Sequence, residues 1–262
     1  MAEASLIQIA TKLLAESRAA VAFTGAGLST PSGIPDFRSP ETGLWARLEA
    51  AGADESQAAG TIQAFGRDPQ TFYERMKPLF QNIITAEPNA AHYALAKLET
   101  RGIIHTVITQ NADMLQQRAG SKNVIEVHGS LAEATCIQCY RIAPFRPLLD
   151  QYLTDGIVPC CKECGGVMKP NVILTGEQLP VKAILAAKQA IRRADLLLIA
   201  GTSLAGGPAT ALVDASYLQG SKLILVNRMP TLLDSVAEIV IREDVSIALP
   251  AIVKVLQHKE ER

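Results

Sequence analysis

The sequence predicts an α/β protein, a parallel sheet with helices on both faces, interrupted by one helical and one zinc-binding insertion. Three observations predict it. Short apolar, β-branched runs alternate with segments of helical periodicity. Small and polar residues follow each apolar run. Two C-x-x-C pairs, Cys136/Cys139 and Cys161/Cys164, mark a stretch of different character.

Leu6, Ile9, Leu13 and Leu14 recur at helical spacing, so a helix is expected over about 4–17. Ala19 to Phe23 reads as a short buried strand. The next segment holds Gly25, Gly27, Pro31, Gly33, Pro35 and Pro40, which argues against regular structure. Residues 43–85 read as irregularly helical, and 89–100 as a helix opened by Asn89 after Pro88. Strands are expected at Ile103 to Ile108, Val124 to Val127 and Val172 to Leu174. Residues 131–168 show cysteines, prolines and little periodicity. A helix over 180–193, a buried strand from Asp195 to Ala200 and a helix over 208–218 follow. Strands at Lys222 to Val226 and Glu238 to Ile241, then a helix from about Ser246 to Gln257, complete the chain. The 43–85 and 131–168 stretches read as insertions into one α/β domain.

The 262 residues are 48% hydrophobic and 19% charged, enough for one substantial core and a smaller module. Collagen-like, disordered and coiled-coil classes are excluded by this composition. Twenty-five Lys and Arg stand against 26 Asp and Glu, a net charge of −1, so direct nucleic-acid binding held by bulk electrostatics is not expected. No apolar run approaches the roughly 18 residues of a membrane span. Met1 to Ala10 lacks a basic n-region and a cleavage site, so a cytoplasmic protein is the expectation.

In open α/β sheets, ligands bind beyond the carboxyl ends of the strands. Six expected strand ends run into small or polar residues: Thr24 to Gly27, Thr109 to Asp113, His128 to Ser130, Thr175 to Glu177, Gly201 to Ser203, and Asn227 with Arg228. Together they point to one crevice. Gly25-Ala26-Gly27 is the front of a dinucleotide fingerprint, with Thr30 where a third glycine would stand; the same G-x-G also makes plain turns. No acidic partner follows at dehydrogenase spacing and no Walker A loop is present. Of the four histidines only His128 falls at a candidate crevice, as a general base or as a structural residue. Asp36 and Asp113 are either solvated loop carboxylates or groups that fix an amide or ribose hydroxyls.

The two C-x-x-C pairs lie about twenty residues apart, a zinc spacing. Four thiolates from Cys136, Cys139, Cys161 and Cys164 close a tetrahedral shell, so the metal is expected to be structural. Cys160 would change the pair spacing and is left unligated.

Taken together, these motifs resemble the sirtuin family from about residue 20 to 245. The likeness rests on GAGLSTPSGIPDFRS (25–39), TQNAD (109–113), VHGS (127–130), the cysteine pairs, KPNVILTGE (169–177), GTSL (201–204) and VN (226–227). The resemblance implies a Rossmann-like NAD-binding domain built from 1–42, 86–130 and 169–262. A small domain would comprise a helical module (43–85) and a zinc module (131–168). It also implies an NAD-consuming protein deacylase, in which NAD and acyl-lysine meet between the two domains. By that analogy Gly25, Ala26, Gly27, Gly201, Thr202 and Ser203 hold phosphates and ribose. Asn227, Arg228, Asp244 and Val245 lie toward adenosine. Asp36, Phe37, Arg38, Gln110, Asn111 and Asp113 surround nicotinamide and its ribose. His128 is the general base, with Asn111 and Asp113 beside it in the catalytic set. The products are free lysine, nicotinamide and O-acyl-ADP-ribose, and the partner is an acyl-lysine protein or peptide taken up by a monomer.

Three positions depart from the family's pattern: Ala112, where a bulky aliphatic residue is usual, Thr175 in place of Phe, and Gly206 in place of Val. Each removes volume beside the expected reaction pocket, which would suit acyl groups longer than acetyl or raise NAD hydrolysis. Tyr73 is followed three residues later by Met76 rather than Arg, so no guanidinium clamp for a succinyl carboxylate is expected. The alternative activity for the same residues is mono-ADP-ribosyl transfer or NAD hydrolysis.

Overall fold

The computed structural model describes residues 2–36, 61–204 and 207–260. Its first unit is a six-stranded sheet of β1 (Ala20–Thr24), β2 (Ile104–Thr109), β3 (Val124–Glu126), β7 (Leu196–Ala200), β8 (Lys222–Val226) and β9 (Ile239–Ile241). The spatial order is β3-β2-β1-β7-β8-β9, and every neighbouring pair is parallel. β1 and β7 are fully buried along their lengths, which is why both read as unbroken apolar runs rather than alternating ones. They pair residue by residue from Ala20–Leu196 to Thr24–Ala200. The chain builds outward from β1 in one direction and from β7 in the other, so the topological switch point lies between them.

Helices cover both faces. One face packs α1 (Ala2–Glu16), α4 (Ala90–Thr100) and α9 (Val245–Glu260) through Leu14, Leu95, Leu98, Leu249 and Ile252. The other packs α7 (Val181–Arg193) and α8 (Thr210–Leu218) through Ala187, Ile191, Leu212 and Val213 against Phe23, Ile199 and Leu225. Burying such a side chain contributes about 1.5–3 kcal/mol. Asn89 opens α4 with a capping box: its side chain accepts from the amide of Ala91, and the His92 imidazole accepts from the amide of Asn89.

A second unit holds an antiparallel sheet in the order β5-β4-β6, formed by β4 (Gly129–Cys136), β5 (Ile142–Pro144) and β6 (Met168–Val172). Around it lie α2 (Ile62–Arg67), α3 (Pro69–Thr85) and α6 (Phe145–Asp155). Their shared core is aromatic, with Phe65, Phe72, Tyr73, Phe80, Phe145 and Tyr152 edge to face or tilted on one another. The Tyr73 hydroxyl donates to the Met168 carbonyl at 2.7 Å, tying the helices to β6.

Three expectations need correction. Val172 to Leu174 is no strand of the parallel sheet: β6 ends at Val172 and pairs with β4. Beyond it the Ile173 amide bonds to the His128 carbonyl and the Leu174 amide to the Glu177 carboxylate, so both are satisfied outside a ladder. Residues 131–168 are more regular than their pattern implies, because short, half-exposed strands leave no apolar run to read. The glycine- and proline-rich segment is not wholly irregular either, since it forms two 3-10 turns at Ala26–Leu28 and Thr30–Ser32. Of the expected 43–85 helical stretch, 43–60 lies outside the described residues.

Candidate active site and metal centre

The switch point between β1 and β7 is closed by backbone meeting backbone. The Gly25 amide bonds to the Ala200 carbonyl at 3.3 Å and the Gly27 amide to the Gly201 carbonyl at 2.8 Å. Gly201 sits at φ +60, and a Cβ there would lie 2.4 Å from the Leu28 nitrogen. A Cβ on Gly27 would lie 2.9 Å from the Gly201 oxygen. Only glycine allows the two loops to approach this closely, which leaves a cradle at the strand ends of the kind that admits a pyrophosphate.

Side chains then lace β1, β2 and β7 together. Thr202 Oγ1 donates to Gln110 Oε1 at 2.8 Å. Asn111 Nδ2 donates to the Gly25 carbonyl at 3.1 Å and to Ser29 Oγ at 3.0 Å. Ser29 Oγ in turn donates to Asp113 Oδ2 at 2.6 Å, and the Leu115 amide donates to Asp113 Oδ1 at 2.9 Å. Burial raises Asp113 above the usual carboxylate range, and the Ser29 hydroxyl opposes that rise.

Behind Ser29 stands His92, 1% exposed, with Nε2 3.5 Å from Ser29 Oγ. Its Nδ1 accepts from the Asn89 amide, so the neutral ring carries its hydrogen on Nε2, toward the serine. Burial lowers His92 to about 4. The sequence placed neither Ser29 nor His92 in the crevice. The readable signal was the N-x-x-H spacing on a helix face that otherwise buries Ala91, Leu95 and Leu98.

His128 follows β3 and immediately precedes β4, half-buried between the two sheets. Gly129 after it lies at φ +79, and a Cβ there would come within 2.0 Å of the Asn171 carbonyl oxygen. Met114, at φ 64, presents its sulfur to the Ser130 hydroxyl at 3.0 Å. Glu126, at the end of β3, is raised by burial, with Ser130 and Gln117 opposing the rise.

Farther along the sheet edge, the buried Asn227 donates to the Met229 carbonyl at 2.7 Å. Arg228 pairs with Asp244 at 3.6 Å. Asp244 caps α9 by accepting from the amide and hydroxyl of Ser246, and Val245 is buried beneath it. Asp36 and Ser203 are half-buried. Phe37, Arg38 and Gly206 lie outside the described residues. Ala112 bonds through its carbonyl to the Leu131 amide, and Thr175 is exposed, its carbonyl accepting from the Ile62 amide.

The four cysteine sulfurs of 136, 139, 161 and 164 all lie within 4.8 Å of one another. Cys136 to Cys164 is 3.5 Å and Cys139 to Cys161 is 3.6 Å. A zinc ion with bonds of about 2.3 Å sets its thiolates at nearly such separations, so the set fits the metal. The amides of Cys139 and Gln138 pull the Cys136 thiol down to about 6, and those of Glu163 and Cys164 lower Cys161. These two shifts favour thiolates, whereas Cys164 goes up to about 12, the Gly166 amide lowering it but hydrogen bonds with Cys139 and Cys136 raising it more. Cys160 is exposed and stands outside the set, its sulfur 3.4 Å from the Val158 carbonyl.

A doubly wound sheet with a glycine cradle at its switch point, joined to a four-cysteine module, defines a dinucleotide-binding protein with a structural metal centre. A family model described as the Sir2 family matches residues 25–208, and the chain belongs to that family. It is 45% identical over 241 residues, 92% of each chain, to an NAD-dependent protein deacetylase of Sulfurisphaera tokodaii. It is 39% identical over 249 residues, 95% of each chain, to an NAD-dependent protein deacylase of Archaeoglobus fulgidus. It also resembles a solved Sir2 complex with a p53 peptide and NAD+, with a TM-score of 0.83 at 37% identity, covering 98% of this chain and 99% of the other. Among the described residues no helix is long and apolar enough to cross a membrane.

Proposed function

We propose that the protein is an NAD-dependent protein-lysine deacylase that releases nicotinamide and O-acyl-ADP-ribose. The observation that carries this reading is the position of His128. It stands on the seam between the two sheets, near strand ends that also present the glycine cradle and the Ser29–Asn111–Asp113 cluster. In this reading the base serves a dinucleotide in the cradle and a peptide between the sheets. Relatives named NAD-dependent deacetylase and deacylase support the reading, as does a solved Sir2 variant holding a deacetylated p53 peptide with 3′-O-acetyl-ADP-ribose.

In this reading Gly25, Ala26, Gly27, Gly201, Thr202 and Ser203 hold the phosphates and neighbouring ribose. Asn227, Arg228, Asp244 and Val245 take the adenosine half, and Asp36, Phe37, Arg38 and Gln110 border the nicotinamide end. When bound, NAD supplies a ribose carbon that turns electrophilic as nicotinamide departs. Asn111 and Asp113 fix the geometry on that side: the amide is anchored on the Gly25 carbonyl and the carboxylate on Ser29 and the Leu115 amide. An imidazole nitrogen of His128 takes the proton shed as a hydroxyl becomes the nucleophile toward the acyl carbon. The cysteine module holds the second sheet in shape and contributes nothing to the reacting atoms. Its unbridged thiols suit a reducing, cytoplasmic compartment. A monomer suffices, because one chain carries every residue assigned here.

The test is mass spectrometry of the protein with NAD and lysine peptides carrying acetyl, butyryl, succinyl and myristoyl groups. Unmodified peptide together with O-acyl-ADP-ribose is the expected result, with little turnover of the succinyl peptide. Nicotinamide release without deacylation, or ADP-ribose added to protein, would overturn the reading in favour of NAD hydrolysis or ADP-ribosyl transfer.

A further inference from the structure

The carboxyl ends of the parallel strands carry the site described above; a second concavity lies at their amino ends. It is a cavity of about 260 Å³ between the sheet and the flank of α7. Its floor is Val21 of β1 and Ile125 of β3, and Ala186 and Ala190 of α7 form an apolar wall. Four polar side chains also line it: Thr106, His105, Gln189 and Arg193.

The local backbone is irregular at this spot. Ala20 pairs with Ile104, but Val21 pairs with Thr106, so β2 carries one extra residue, His105, in a parallel ladder. Bulges are rare between parallel strands, and they re-aim the inserted side chain. Here the inserted residue is an imidazole that lines the cavity.

Among the described lining residues the permanently charged side chain is the Arg193 guanidinium. Among the described residues no carboxylate lines the cavity. Among the described residues Arg193 forms no ion pair. The nearest acid in sequence, Asp195, lies at the rim, where its oxygens are taken up by the Ser17 hydroxyl and the amides of Arg18 and of the lining residue Ala19. α7 itself contains Lys182, Lys188, Arg192 and Arg193 and no acidic residue. A guanidinium, an amide and a hydroxyl with spare donors beside an apolar floor match a carboxylate on a short hydrocarbon body.

We propose that this cavity is a second binding site, distinct from the dinucleotide cradle, for a small organic carboxylate whose head meets Arg193 and whose chain lies on Val21 and Ile125. Its volume falls just below that of pockets for drug-sized ligands, which suits a smaller occupant.

The test is calorimetry and saturation-transfer NMR with sodium hexanoate, in the presence of excess ADP-ribose to fill the cradle. One saturable site per chain with a Kd of about 1 mM is expected for a ligand of this size. Exposed Arg193→Gln should weaken binding about tenfold, and Ala186→Leu, which fills the cavity, should abolish it. Both variants should keep the parent's circular dichroism and melting. Hexan-1-ol should bind at least about tenfold more weakly than hexanoate. Absence of saturable binding, or binding unchanged in both variants, would overturn the proposal. Displacement of hexanoate by equimolar phosphate would overturn the carboxylate class in favour of an inorganic anion site. The two variants locate binding whether or not ADP-ribose occupies the cradle.

Discussion

Ser29 donates its hydroxyl hydrogen to Asp113 across 2.6 Å, although 84 residues separate them in the chain. The same oxygen accepts from Asn111 and faces His92 Nε2, so one buried hydroxyl joins the 3-10 turn after β1 to the loop after β2 and to α4. Replacing Ser29 with Ala leaves the Asp113 carboxylate short of a donor in a buried place. Losing such a partner costs about 1–3 kcal/mol, so kcat/KM for deacylation should fall about tenfold or more with the fold intact by circular dichroism. Wild-type kcat/KM in Ser29→Ala would show that the hydrogen bond positions nothing.

His92 gives a pH signature of stability. Its folded value of about 4 lies below the ordinary 6.5, because burial penalises the charged ring. Its contribution is complete above about pH 6.5 and is lost as the pH falls toward 4, since only the unfolded chain then takes up the proton. The loss is on the order of 3 kcal/mol. Gln at this position can still accept from the Asn89 amide and does not titrate. Urea unfolding of wild type and His92→Gln should therefore converge on acidification from pH 7 to 4.5. A stability difference that stays constant over that range would refute the assignment.

Gly201 and Gly220 provide an internal comparison. Both have positive φ, +60 and +88, but only Gly201 has backbone where a Cβ would go. Gly220→Ala should cost about 1–2 kcal/mol, the strain of the left-handed region alone. Gly201→Ala should cost more, and should also weaken NAD binding by distorting the cradle. Equal losses in the two variants would mean that the close approach of the Gly27 and Gly201 loops is not needed.

Removing the metal should separate the two sheets energetically. Chelation, or Cys139→Ser, should lower zinc content from one per chain. It should also reduce the near-ultraviolet dichroism of the Phe65–Tyr73–Tyr152 core, which shares a cluster with Cys136 and Cys161. The parallel sheet should retain its far-ultraviolet signal. Zinc-free protein with unaltered aromatic dichroism and melting would remove the structural role.

His128→Ala should reduce deacylation about 100-fold or more, the usual worth of a general base. Nicotinamide release should survive better than deacylation, because it needs the cradle and the Asn111–Asp113 side and not the base. If both steps retained full rate, the base would have to be another group.

How far the sequence could be read depended on how each part is built. β1 and β7 are buried on both sides, and their apolar runs place the sheet without ambiguity. The polar groups after β1, β2, β3, β7 and β8 follow directly from those strand ends. β4 breaks register between Gly129 and Ala134 and exposes Ala132 and Glu133, so no periodicity betrays it. Val172 to Leu174 misled because a three-residue apolar run fits either sheet equally well. The Ser29–Asp113–His92 cluster was hidden for another reason: its members come from three elements, and nothing local in the sequence pairs them.

β3 ends at Glu126 and β4 begins at Gly129, so Val127 and His128 are the whole direct passage from the parallel sheet to the antiparallel one. The imidazole thus belongs to neither frame and is carried by the joint between them. The Val127 amide is held by the Thr109 carbonyl of the parallel sheet, and the His128 carbonyl accepts from the Ile173 amide beyond β6, so consecutive residues are fastened to different sheets. One peptide bond therefore carries the change from one sheet to the other, and the imidazole is fixed at that step.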